Sequence, residues 1–479
     1  MAIFFTLFYL FTAYMSPETL FGGLAEYHIE ILIAVLAFVI SAFLSRDSQL
    51  FKVPQTYALL VFIVAVALSL IGQRLFGLSI DALRDFVPNA FAFFVIVLAC
   101  KKRLHLQLVV ATLFIVCVYI ILKGYMAVRA DDVLSPYLLL QTNGGEIYVL
   151  RIRGLSFLND PNDFAQLLVS LLPCLFFFRR PESAIRNLFL VYLPAAFLIF
   201  GMFLTHSRGA ILALLAVIVV AARPRLGNIR SAIIAGVLFV ASSAVGWSGG
   251  AGRDISAEGG ADRMDAWSVG LTLIRSHPIF GVGYKRFAEF NSITAHNSII
   301  VCAAEVGLFG FFFWVMLILV SLRDTALLGA VPKTVMAEEE PDGPHPAYRL
   351  RTKDTIAKAA TVESIAASTA VAAPVPYYAL SLEEEREVLP EAEVRRLARI
   401  VNLALVGFLA ASYFLSRSYV MTLYIYVGFA VVVYRMGLDQ GFAPPRMPAK
   451  RILLLTLIVS AALIALVYAI LRIQHMLPH

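Results

Sequence analysis

Apolar runs long enough to cross a lipid bilayer recur along nearly all of this chain, and a soluble fold has no room to bury them. A hydrocarbon core of ~30 Å takes roughly 17–25 apolar residues in a helix. Backbone in lipid must also satisfy its own hydrogen bonds, which leaves helices or closed barrels. Candidate spans fall near residues 28–44, 56–72, 86–100, 105–122, 163–178, 187–205, 208–222, 230–247, 296–321, 399–415, 418–435 and 451–473, with a shorter run at 3–15. The runs are continuous rather than alternating, so strands are not expected. The run at 3–15 has no charged leader and no small-residue cleavage site, which reads as an uncleaved first span. Only 15% of the 479 residues are charged, against about 25% in an average soluble chain. The expected fold is all-α, a polytopic membrane protein of about 12–13 transmembrane helices with an outer loop domain.

Basic residues set the expected orientation, because Lys and Arg concentrate in short cytoplasmic connectors. Lys101-Lys102-Arg103, Arg179-Arg180 with Arg186, Arg223 with Arg225 and Arg230, and the group Arg435, Arg446, Lys450 and Arg451 recur at every second connector. The loops 123–162 and 248–295 alternate with them and are assigned to the outer face. The formal net charge of +7 is accounted for by these inner connectors and gives no reason to expect a nucleic-acid partner. Three regions follow: a bundle over 1–322 with those two outer loops, an insertion over 323–398, and C-terminal membrane helices over 399–479. The insertion opens with Pro332, Pro341, Gly343, Pro344 and Pro346, runs through an Ala/Thr-rich stretch, and closes with a capping-box pattern from Ser381 to Glu384. It reads as a partly disordered cytoplasmic segment ending in a surface helix.

Chemistry concentrates at the outer edge. Arg208, within Ser207-Arg208-Gly209, stands at an outer turn where the positive-inside rule disfavours arginine. It is either a snorkelling interface residue or an anion site, since a guanidinium fork matches phosphate oxygens. Arg263 begins a helical stretch, 262–276, with Met264, Trp267, Leu271 and Ile274 on one face. It could pair with Asp262 or Asp265 on the surface, or bind an anion. His296, beside Asn297 and nine residues before Glu305, is either a structural residue at a helix start or a general base. Asn159-Asp160-Pro161-Asn162-Asp163 opens another span. Helix capping explains Asp160 and Pro161 well, but Asn162 and Asp163 less well.

Absences narrow the classes. The chain has no phosphate-binding G-x-x-x-x-G-K-[ST] loop, no Asp-x-Asp, no His-Glu-x-x-His and no Cys-x-x-Cys. ATP hydrolysis and zinc or redox chemistry thus have no ligands, and no metal or cofactor is expected. Cys100, Cys117, Cys174 and Cys302 lie in or beside apolar runs and read as buried small hydrophobes. An outer-face enzyme without ATP or nucleotide sugars needs a substrate activated beforehand, and a lipid-linked diphosphate sugar fits.

Taken together, Ser207-Arg208-Gly209, Gly154 with Asp160-Pro161-Asn162, Arg263-x-x-x-Trp267, Pro278-x-x-Gly281-x-Gly283 and His296-Asn297 with Glu305-x-Gly307 resemble the O-antigen ligase family, which includes O-antigen polymerase-like proteins. The Asp160-to-Ala165 form is similar to the branch of O-glycosylation ligases associated with exosortase systems. The resemblance covers roughly residues 28–435. It implies a bacterial inner-membrane protein with its site facing the periplasm. Such a protein transfers a glycan from undecaprenyl diphosphate to an acceptor such as lipid A core, without metal or ATP. Carried onto this chain, it implies that Arg208 and Arg263 bind the diphosphate and that His296 is the catalytic base. Asp160, Asn162 and Asn297 are then expected to orient sugar hydroxyls. The length of the 323–398 insertion and the final span at 451–473 depart from the family pattern.

Three other readings compete. A repeat-unit polymerase would use the same donor. A glycosyltransferase with an acidic base would draw on Glu18, Glu26, Asp81 or Asp85. A transporter of polyprenyl-linked glycans would need charged or broken segments near the bilayer midplane, whereas here the polar groups gather at the edge.

Overall fold

Each apolar run folds as a helix, because in lipid only internal i to i−4 bonds satisfy the backbone. The computed structural model describes residues 1–21, 23, 29–45, 50–143, 146–244, 257–330 and 387–473. In chain order the helices are α1 (Ala2–Met15), α2 (Ile29–Ser45), α3 (Pro54–Ile71), α4 (Phe76–Ala99) and α5 (Arg103–Arg129). Then come α6 (Pro161–Leu171, extended by a tighter turn, Leu172–Phe178), α7 (Leu193–Leu204), α8 (Arg208–Ala244), α9 (Ala257–Ser276) and α10 (Ser298–Gly329). The last three are α11 (Glu391–Ser412), α12 (Met421–Asp439) and α13 (Ala449–Ile473). Two strands, β1 (Leu138–Asn143) and β2 (Glu146–Ile152), pair antiparallel with Leu138 opposite Ile152.

The bundle is built around α12, whose apolar stretch is 94% buried, with α4, α10 and α11 against it. The corresponding stretches of α8 and α13 are only 17% and 22% buried and turn leucines and isoleucines outward, as a lipid-facing helix should. Lipid tails are as apolar as those side chains, so the hydrophobic effect does not hold such helices together; close contact and interhelical hydrogen bonds do. Tyr14 shares a 2.8 Å hydroxyl bond with Thr422, Tyr426 donates to Ser170 at 3.2 Å, and Asn402 donates to Thr325 at 3.0 Å. Bonds of this kind contribute ~0.6 kcal/mol each on average, enough to fix register without driving assembly.

Two ends of the bundle can be told apart. At one, the α3 end meets the 278–290 loop through Gln73 Nε2 donating to Gly281 O at 2.8 Å. The α11–α12 corner meets α9 there through a Trp267–Tyr413 edge-to-face contact. At the other, the arginine-rich connectors tie together. Arg103 pairs with Glu393 at 2.9 Å, Arg396 donates to Phe176 O at 3.0 Å, and Arg446 donates to Lys52 O at 2.7 Å.

The fold is the all-α polytopic bundle expected from the runs, with three differences in detail. Among the described residues, nine helices are long and apolar enough to cross a membrane, with Ile29–Leu44 as a shorter apolar helix. Runs 208–222 and 230–247 fall on the two sides of a break in α8 at Gly227 (φ 76°), with residues 245–247 outside the described ones, and α1 has only 14 residues. The apolar runs are helices and not strands, as expected, and the one described hairpin lies in the loop 123–162. There α5 continues to Arg129 and the hairpin follows, because outside the lipid two short segments can pair with each other instead of coiling. Residues 331–386, most of the predicted insertion, and Glu26 lie outside the described residues.

Candidate functional site

Three chain segments build the site, each set by local interactions. At the start of α6, Asp160 caps the helix by accepting from Asn162 N at 2.7 Å, with Pro161 at the first helical position. Asp163, one turn in, is 2% exposed and receives the guanidinium fork of Arg417 on both carboxylate oxygens. The Asn162 carbonyl oxygen accepts from Arg151 Nη2 at 3.1 Å, and Arg151 Nε reaches Thr205 O at 2.9 Å. The hairpin therefore ties the α6 start to the turn that precedes Arg208.

The corner 413–420, between α11 and α12, is pinned to the first turn of α10. Ser298 Oγ donates to Leu415 O (2.6 Å) and accepts from Arg417 N (2.8 Å), while Ser418 Oγ donates to Ser298 O at 2.8 Å. These bonds hold Arg417 within two residues' reach of His296. His296 itself adopts a left-handed backbone, φ 45°. A non-glycine residue pays about 1–3 kcal/mol for such a conformation and keeps it only when its surroundings impose it. They do so from both sides. Trp267 Nε1 donates to Ala295 O at 2.8 Å, and the Asn297 carbonyl oxygen caps α10 by accepting from Ile299 N (3.0 Å) and Ile300 N (3.3 Å).

Below His296, α10 breaks at Gly307 (φ 67°), and the 278–283 loop fills the gap. Leu308 N donates to Pro278 O at 2.8 Å and Gly283 N to Glu305 O at 2.9 Å. A Cβ on Gly281 (φ 73°) would lie 2.4 Å from Glu305 O, and one on Gly307 would lie 2.2 Å from Ile279 O. The motifs Pro278-x-x-Gly281-x-Gly283 and Glu305-x-Gly307 are thus two halves of one backbone lock. Glu305, 3% exposed, accepts from Phe287 N at 3.1 Å and so extends the lock to the next turn.

These segments, together with Asp85 and Asn89 of α4, line a cavity of about 330 Å³ that holds His296, Arg417, Lys285 and four carboxylates, Asp85, Asp160, Asp163 and Glu305. Both of its cations are already paired. Arg417 is joined to Asp163, and Asp85 takes both Lys285 Nζ and the Tyr284 hydroxyl at 2.6 Å. Burial, and then the charge of Asp85, hold the Tyr284 hydroxyl well above its ordinary pKa. Burial and then Glu305 do the same for Tyr419. Both phenols are therefore neutral. Their rings lie 4.7 Å apart, and Tyr419 lines the cavity. Among the described residues, no group of three or more His, Cys, Asp or Glu side chains is placed to hold a metal ion.

Of the residues singled out from sequence, His296 and Asp160 line the cavity. Asn297 is fully buried with its oxygen in the α10 cap, and Asn162 is held by Arg151. Arg208 is the first residue of α8 and is not among those lining the cavity; its neighbour Gly209 abuts Phe414, three residues from Arg417. Arg263 lies on α9 one turn before Trp267, and its side chain is outside the described set. The cavity's arginine, Arg417, was missed. Its signal was present, because Ser416-Arg417-Ser418 is an arginine in a short polar break between two apolar runs, the same pattern that drew attention to Ser207-Arg208-Gly209. The four cysteines are free and buried.

Fold and site together define a polytopic helical membrane protein with an ionisable cavity closed by loops at one end of the bundle. Residues 193–315 match the family model described as O-antigen ligase, the family that the motifs resemble. The matched span holds Arg208, Arg263, the glycine lock and His296, whereas Asp160, Asp163 and Arg417 fall outside it. No curated protein matches the chain.

Proposed function

We propose that the protein transfers a glycan from undecaprenyl diphosphate to a hydroxyl of an acceptor, lipid A core or another surface molecule, on the periplasmic face of the bacterial inner membrane. The observation that carries this reading is the placement of His296. It lies inside the span that matches the O-antigen ligase family, is held in a strained backbone by Trp267 and Asn297, and lines a cavity at the edge of a membrane bundle. Orientation rests on the arginine-rich connectors, which gather at the opposite end.

In the proposed reaction the His296 imidazole takes the proton of the acceptor hydroxyl. That oxygen attacks the anomeric carbon, the bond from that carbon to the diphosphate oxygen breaks, and undecaprenyl diphosphate leaves with the electron pair. Arg208 and Arg263 hold the diphosphate; preorganised donors to developing negative charge are typically worth about 2.7–4 kcal/mol each. Asp160, free of lipid at the cavity lip, orients sugar hydroxyls. Asn162 and Asn297 act through the helix starts they maintain. Arg417, locked to Asp163, keeps that buried carboxylate from repelling the diphosphate.

Purified protein given an undecaprenyl diphosphate-linked glycan and lipid A core should produce glycosylated core, and His296→Ala, inserted at normal levels, should not. Full activity of the alanine variant would remove the base from its role. Omitting lipid A core separates ligation from repeat-unit polymerisation, because only a polymerase then lengthens the lipid-linked glycan.

A further inference from the structure

α13 packs against α9 and α10, yet only 22% of its apolar stretch is buried. The three helices leave a groove of about 960 Å³ between them, at the top of the ~300–1,000 Å³ range of ligand pockets. Its walls include Leu271 and Ile274 of α9, Phe311 and Phe312 of α10, and Leu457 and Ile464 of α13. Ala461 and Ala465, small and one helical turn apart, widen it on the α13 side. Along α13 the lining changes from Leu457 through Ile464 to Tyr468 and then Arg472. That order, apolar, then amphipathic aromatic, then cationic, is the profile of a membrane edge. At about 1.5 Å per residue, Leu457 and Arg472 lie ~22 Å apart. One leaflet with its headgroups is as thick, being half of ~40–45 Å. A second guanidinium, Arg275, reaches the groove from the last turn of α9.

Charge sets this groove apart. At the arginine-rich end of the bundle, a cavity of about 120 Å³ between α3, α10, α12 and α13 also has arginines in its lining, and those are engaged. Arg323 bonds Asp324 at 2.8 Å and Pro445 O at 3.1 Å, and Arg446 bonds Lys52 O at 2.7 Å. Arg275 and Arg472 are exposed, and among the described residues neither has a hydrogen bond or an ion pair, nor does a carboxylate line the groove. A lone snorkelling arginine needs only water for its head. Two on one apolar groove, without a counter-charge, make a positive mouth to a slot one leaflet deep. Guanidinium forks match phosphate oxygens, and basic sites between transmembrane helices suit anionic headgroups. We propose that the groove holds one anionic phospholipid, its headgroup against Arg275 and Arg472 and its acyl chains along Phe311, Phe312 and Leu457. α13, the span that departs from the family pattern, supplies one wall of this site and one of its two cations.

The test uses the full-length protein, delipidated in detergent and titrated with phosphatidylglycerol or phosphatidylcholine, with bound lipid counted by native mass spectrometry. Phosphatidylglycerol should be retained over phosphatidylcholine. Arg275→Gln and Arg472→Gln should each weaken that retention about fivefold, the equivalent of ~1 kcal/mol for one basic residue. Both positions are exposed, so the variants should fold. Ala465→Trp, also exposed, should lower retention by filling the groove with no change of charge. Two controls should have no effect: Leu466→Trp, on α13 but outside the groove, and Arg451→Gln, at the other end of that helix. Equal retention of the two lipids, full retention in any of the three groove variants, or an equal loss in either control would each overturn the proposal. So would displacement of phosphatidylglycerol by equimolar undecaprenyl phosphate, which would give the groove to the carrier of the glycan, or a dimer of the chain that excludes lipid.

Discussion

The two cavities of this bundle are built from similar residue types and differ in how the charges are balanced. At the His296 end, four carboxylates face one arginine and one lysine, and both cations are already paired. At the Arg446 end, three arginines face a single carboxylate in an apolar setting. The first arrangement leaves an imidazole as the group with chemistry to offer and spends its ion pairs on holding loops in place. The second engages its one carboxylate with Arg323 and Gln55 and includes no imidazole. Arginine serves at both ends as a clasp between distant chain segments.

His296→Ala tests this contrast most severely. Loss of a general base should cost transfer roughly 10²–10⁴-fold and leave melting in detergent unchanged; an active alanine variant would remove the contrast with the other end. Gly307→Ala comes next. Its Cβ would sit 2.2 Å from Ile279 O, so the loop must leave the break in α10, and both thermal stability and transfer should fall; a variant that melts like the wild type would refute the backbone lock. Arg417→Ala leaves Asp163 buried without its partner. Because Arg417 is 31% solvent-exposed, the loss should lie below the ~3–5 kcal/mol of a fully buried pair. Asp163→Asn in the same background should recover much of it, as read from melting in detergent. Arg208→Lys should lower transfer with little change in stability, since a point charge cannot reproduce a bidentate fork; full activity would count against phosphate binding there.

The site was partly legible before folding. Arg208, Arg263 and His296 could be picked out because charge at the edge of an apolar run is costly enough to need a reason. The same argument applied to Ser416-Arg417-Ser418 would have found the arginine that lines the cavity. Asp85 was noticed only as a rival base, and Lys285 not at all, because their meeting depends on α4 extending beyond its apolar run, to Phe76, and on the 278–290 loop folding back against it. The glycine motifs were visible as motifs. That they interlock, each occupying the space a Cβ would take in the other, was not.

What the chain determined alone was its membrane-spanning helices, since lipid leaves the backbone no other way to satisfy its hydrogen bonds and each apolar run answers that demand locally. The tertiary structure decided which helix became the buried centre and which charged groups became partners. Those outcomes hang on contacts between residues hundreds of positions apart, such as Asp163 with Arg417 and Tyr14 with Thr422. Helix periodicity is written within a few turns of chain, whereas the pairing of charges depends on where whole helices come to rest.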